Sequence, residues 1–179
     1  MDGLWNGAPK FEGAEAREMW ITVEEKASIR VIVFEPDEVP EDSDGTVVMV
    51  PGWGSLFVGW RPLVEVWARS RRLIYIETRE KASSIINRRI SKDDFSIERH
   101  SMDIAAVLDS LDIDQKKVDW YSSSLGSTIL IDAFQRRYLE GRSSVLLAPN
   151  PDFRFPLWSR IIIYSPLPMV AFRKMVGFV

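Results

Sequence analysis

Three consecutive serines, Ser122-Ser123-Ser124, close an apolar run and are followed by Leu125-Gly126. A sharp strand-to-helix turn presents a serine as a nucleophile by holding it in a strained backbone conformation. Such a turn admits only small residues two positions before and two positions after the nucleophile, where the chain doubles back on itself. With Ser124 at the centre, Ser122 and Gly126 meet that demand. Ser124 is therefore the candidate nucleophile, Ser122 has a steric role and Ser123 fills a variable position. A helix starting at Leu125 aims its first N–H groups and the positive end of its dipole at the same point, where they favour developing negative charge.

The elements that must carry this turn are legible in the hydrophobic pattern. "MWITVEE" (19–25) and "SIRVIVFEP" (28–36) read as a β-hairpin, followed by an acidic loop over 38–45. "TVVMVPG" (46–52) and "RRLIYIETR" (71–79) are runs typical of strands buried on both faces. Between them, 57–70 reads as a helix whose regular part begins near Pro62, with Val58, Leu63, Val66 and Trp67 on one face, and Trp60 and Trp67 in the core. Residues 81–94 are polar and irregular. The spacing of Ile97, Met102, Ile104, Ala105, Leu108 and Leu111 predicts a helix over 95–113 with Ser96 as its N-cap. A strand (117–123), a helix (125–142) and a strand (143–149) complete the alternation. This order predicts an α/β fold: a mostly parallel sheet with an antiparallel N-terminal hairpin and helices on both faces. Ligands of such sheets collect where strands end, here at 51–55, 77–84, 122–127 and 149–152.

Composition narrows the function classes. A chain of 179 residues, 46% hydrophobic and 27% charged, can bury one sizeable core. With 23 basic and 26 acidic residues and no basic block interleaved with aromatics, nucleic acid is not an expected partner. Cysteine is absent and His100 is the single histidine, which excludes disulfides, thiolate metal sites and His-rich metal sites. No metal or other cofactor is expected. His100, within the 95–113 helix, reads as an ordinary helix-surface or capping residue. The N-terminus lacks the apolar core of a secretory signal, and no stretch is apolar enough to span a bilayer, so a cytoplasmic location is expected and a membrane partner is not.

With these residues in place the sequence resembles the α/β-hydrolase fold family over roughly residues 19–151. The turn Ser122-Ser123-Ser124-Leu125-Gly126 is similar to the family's Gly-x-Ser-x-Gly, with Ser122 replacing the first glycine. Pro51-Gly52-Trp53-Gly54 stands where family members often carry His-Gly-x-Gly, and "YIETREKASS" looks like the fourth strand and its Arg-containing exit loop. The resemblance implies that the N–H groups of Trp53 and Leu125 form an oxyanion hole. It also implies a base, a histidine after the last strand, that His100 does not match in chain order. Asp152 stands where a minority of the family place their acid, though an aspartate in "NPD" is also a common turn residue. The family's sheet continues beyond the sixth strand, so the chain is expected to be an N-terminal portion: a partial core over 1–152 and the start of an apolar lid over 153–179.

These implications lead to a serine hydrolase acting on an ester, thioester or related acyl bond. The expected substrate is a small molecule with an apolar acyl group, and the chain would be inactive without a histidine from elsewhere. A non-catalytic acyl-binding or interaction module on the same fold, or an acyltransferase, remain alternatives. An unpaired sixth strand would also expose a sheet edge to self-association.

Overall fold

The computed structural model describes residues 8–10, 12–38 and 45–150. Most of the expected acidic loop, Asp152 and the expected lid over 153–179 lie outside the described residues. In chain order the elements are β1 (Ala14–Glu24), β2 (Ala27–Pro36), β3 (Thr46–Val50), α1 (Phe57–Trp67), β4 (Leu73–Ile76), β5 (Ile85–Ile86), α2 (Ile97–Ser110), β6 (Val118–Ser123), α3 (Leu125–Gln135) and β7 (Ser143–Leu147).

The strands form one sheet in the order β1-β2-β4-β3-β6-β7, with β5 pairing β2 off this path. Strands β4, β3, β6 and β7 run parallel, and β2 is antiparallel to β1, β4 and β5. Because side chains alternate along a strand, each central strand feeds two cores. Val31, Val33, Val48, Val50, Ile74 and Ile76 point to one face, where Ile104, Val107 and Leu108 of α2 and Ile129, Leu130 and Ala133 of α3 cover them. Ile32, Phe34, Val47, Met49, Leu73 and Tyr75 point to the other, against Phe57, Val64 and Ala68 at α1. Each buried Val, Leu, Ile, Phe or Met among them contributes about 1.5–3 kcal/mol relative to exposure. Helices therefore cover both faces, as the alternation predicts.

Two elements depart from expectation. Helix α1 begins at Phe57, with Pro62 inside it. The bond lost at the proline would have joined it to Val58, and both residues face outward, where solvent can take the freed carbonyl. Its buried face is Phe57 and Val64, while Val58 and Val66 are exposed. Trp60 and Trp67 are only half-buried, each set edge-on to Tyr121. The polar stretch 81–94 also contains order: β5, and a 3₁₀ turn over Lys92–Phe95. Ser96 caps α2 as predicted, its hydroxyl accepting from the Arg99 N–H at 3.2 Å. At the sheet's end, β7 carries Val145 and Leu147 at 48% and 42% exposure.

Candidate functional site

Ser124 stands between the end of β6 and the start of α3, with φ 48° and ψ −116°. A non-glycine residue at positive φ is uncommon, and holding one there costs on the order of 1–3 kcal/mol. The surrounding contacts show what holds it. The Ser124 N–H donates to the Leu147 carbonyl at 2.8 Å, tying the turn to β7. Ser127 Oγ donates to the same carbonyl at 3.1 Å and lies 3.0 Å from Ser122 Oγ. Ser122 is thus more than a small residue, since its hydroxyl belongs to the clasp beneath the turn. Gly126 supplies the clearance, because a Cβ there would stand 2.1 Å from the Val50 carbonyl oxygen and 2.8 Å from that of Pro51. The Ser124 side chain is left half-buried, and its hydroxyl has no hydrogen-bond partner among the described residues.

The loop leaving β3 closes over this serine. A Cβ on Gly52 would lie 2.9 Å from Ser124 Cβ and 3.2 Å from the Ser123 carbonyl, so only glycine lets the two backbones approach this closely. Gly52 to Ser55 form a turn, the Ser55 N–H donating to the Gly52 carbonyl at 3.1 Å, with Gly54 at φ 71°. Trp53 occupies the outer corner of that turn and is 60% exposed. Gly52, the residue before Trp53, therefore packs against Ser124, and Leu125 follows Ser124 at the first position of α3.

Behind the loop lies a polar cluster contributed by the exit of β4. Lys81, with its side chain 4% exposed, donates from Nζ to the Gly52 carbonyl at 2.6 Å and lies 3.4 Å from Glu80 Oε1. Thr78 Oγ1 donates to the same carboxylate oxygen at 2.7 Å. His100 is buried on α2 rather than at its surface or cap, with Nε2 3.8 Å from Glu80 Oε2, longer than a hydrogen bond. Burial holds its pKa below the ordinary imidazole value, outweighing the pull of Glu80. Its Nδ1 has no partner among the described residues, and no hydrogen bond joins it to Ser124. Next to it, Arg79 is fully buried and ties together three segments: a two-pronged pair with Asp103 on α2 at 2.7 and 2.8 Å, and bonds of 2.9 Å to Glu24 and to Asp94. Arg88, which reads as a solvated residue in sequence, bonds to the same Asp94 and Glu24. Hydrogen bonds from Arg88 hold the Asp94 carboxyl well below the usual range, whereas burial pushes Asp103 upward against the pull of Arg79.

The structure thus brings Ser124, Leu125 and Gly52 together, with no hydrogen bond from His100 to Ser124; Asp152 lies outside the described residues. Sequence reasoning missed Lys81 and Glu80. The only signal was an alternation of opposite charges directly after a buried strand, which does not by itself show that the charges are buried. Among the described residues no cluster of His, Asp and Glu could hold a metal ion, and no helix is long and apolar enough to cross a membrane.

The fold recurs in solved structures. An α/β-hydrolase from Novosphingobium aromaticivorans superposes with a TM-score of 0.65 at 17% identity, over 87% of this chain and 51% of that one. A laboratory-evolved variant of the potato epoxide hydrolase StEH1 gives 0.65 at 17% identity, over 90% and 53%. Cfl2 from Burkholderia cenocepacia gives 0.66 at 13% identity, over 95% and 58%. The fold is that of the α/β-hydrolases. The chain spans about half the length of these structures. No protein-family model and no curated protein matches the sequence.

Proposed function

We propose that this chain is the nucleophile-bearing part of a serine hydrolase acting on an ester, thioester or related acyl bond. One observation carries the reading: Ser124 is held at φ 48° on the strand-to-helix turn, with Gly52 packed against its Cβ and its hydroxyl unengaged among the described residues. In this reaction Ser124 Oγ attacks the acyl carbon while its proton passes to a base. The Trp53 and Leu125 N–H groups hold the oxyanion, which is worth most where the donors are already in place. Collapse expels the alcohol or thiol, which takes the proton back from the base, and water then cleaves the acyl-serine by the reverse route.

His100 does not serve as that base, since its ring is buried on α2 and makes no bond to Ser124. The base is assigned outside the described residues, with Asp152 as its acid partner. Exposed Trp53, Leu56 and Val58 border the loop and favour an apolar acyl group. The test is release of p-nitrophenol from p-nitrophenyl esters of increasing acyl length, with imidazole supplied as base. Release should depend on Ser124 and rise with acyl length; equal release by Ser124→Ala would contradict the reading.

A further inference from the structure

We propose that Lys81 is a positioning residue for the oxyanion hole: it sets the direction of the Trp53 N–H by gripping the carbonyl of the same peptide unit, that of Gly52. The proposal rests on the serine-hydrolase reading above. In a planar trans peptide the C=O and N–H point in opposite directions, so whatever fixes the Gly52 oxygen also fixes the Trp53 donor.

Among the described residues two donors reach that oxygen. The Ser55 N–H, at 3.1 Å, is internal to the turn and moves with it. Lys81 Nζ, at 2.6 Å, comes from the exit of β4, 29 residues away in sequence, and ties the loop to the sheet. Two neighbouring side chains hold Lys81 in place. Glu80 Oε1 lies 3.4 Å from Nζ, and Thr78 Oγ1 fixes the same carboxylate oxygen at 2.7 Å. A buried charge is costly unless paired, so a lysine head enclosed here with one carbonyl and one carboxylate is poorly explained by packing alone. Its effect on the donor is twofold. It restrains the orientation of the peptide plane, and a charge-assisted bond to the carbonyl polarises the peptide and makes its N–H a stronger donor. Gly52 is what makes the tie matter for chemistry, because the same residue approaches Ser124 more closely than any side chain would permit.

The test compares the wild-type chain with Lys81→Met and Lys81→Arg. The first readout is the rate of Ser124 phosphonylation by a fluorophosphonate in imidazole buffer, resolved into reversible affinity and the first-order bonding step. The second is the NMR signals of the Gly52 carbonyl carbon and the Trp53 amide. Loss of an oxyanion donor costs about 10²–10³-fold, and loosening one should cost about 10–100-fold in the bonding step, with reversible affinity unchanged. The Gly52 and Trp53 signals should move upfield in Lys81→Met and partly return in Lys81→Arg, while those of Val48 and Ile74 stay in place. If the methionine variant does not fold, Lys81→Gln, which keeps a donor without the charge, carries the same comparison. Unmoved Gly52 and Trp53 signals would overturn the proposal, and so would moved signals with an unchanged bonding step. A wild-type chain that never labels at Ser124 overturns the hydrolase reading and this assignment with it; signals that still respond to Lys81→Met then identify the tie as structural only.

Discussion

Replacing Gly126 with alanine tests the geometry of the turn most sharply. The new Cβ would lie 2.1 Å from the Val50 carbonyl oxygen and 2.8 Å from that of Pro51. An ordinary carbon-to-oxygen approach is about 3.3 Å, so the first turn of α3 must retreat from β3 by roughly 1 Å. Both obstacles are backbone atoms of a buried strand exit and cannot swing aside. Overpacking of this kind costs about 1–3 kcal/mol, and backbone obstruction places Gly126→Ala at the upper end. The helix-propensity gain of alanine, about 1 kcal/mol, offsets part of it. A net loss of about 2 kcal/mol should lower the urea midpoint by about 1 M at a typical slope. Displacing Ser124 by about 1 Å should also slow its phosphonylation about 10²-fold. Gly59→Ala supplies the contrast: a Cβ there meets nothing within 4 Å inside α1, so that variant should gain about 0.5–1 kcal/mol. A Gly126→Ala chain with the wild-type midpoint and labelling rate would refute the account of the turn.

Two further predictions concern buried polar groups. The Tyr75 hydroxyl is fully buried with no partner among the described residues, and burial raises its pKa above the ordinary tyrosine value. Tyr75→Phe should therefore be neutral or raise the urea midpoint, by up to about 1–3 kcal/mol in stability; a clear loss would show that the hydroxyl has a partner. His100 is held neutral by burial, so below about pH 6.5 the unfolded chain binds a proton that the folded chain refuses. Stability from this group is complete above that pH and falls as the pH drops below it. His100→Gln should flatten the fall in denaturation midpoint between about pH 7 and 5.5, whereas an unchanged slope would contradict the burial argument.

The central strands were legible because β3 and β4 bury both faces, and a continuous apolar run of β-branched residues admits few other readings. The strand-to-helix turn at Ser124 was legible for a steric reason, since small residues at Ser122 and Gly126 bracket it. The face of α1 was not, because "FVGWRPLVEVW" is apolar nearly all round and its periodicity does not choose between Phe57 and Val58. Nor was the cluster around Arg79. Its partners Glu24, Asp94 and Asp103 come from three distant segments, and only the folded sheet brings them to one guanidinium. Lys81 was hidden in the same way: its partner is a backbone carbonyl, which every residue has, so nothing in the sequence marks Gly52 as the one.

The most direct measurement is the intact mass of the chain after incubation with a fluorophosphonate, with and without imidazole, beside the Ser124→Ala variant. The account predicts a single adduct at Ser124 that forms slowly alone, forms faster as imidazole supplies the base, and is absent from the variant. An adduct that persists in Ser124→Ala, or no adduct at any imidazole concentration, would contradict the assignment of Ser124 as the nucleophile.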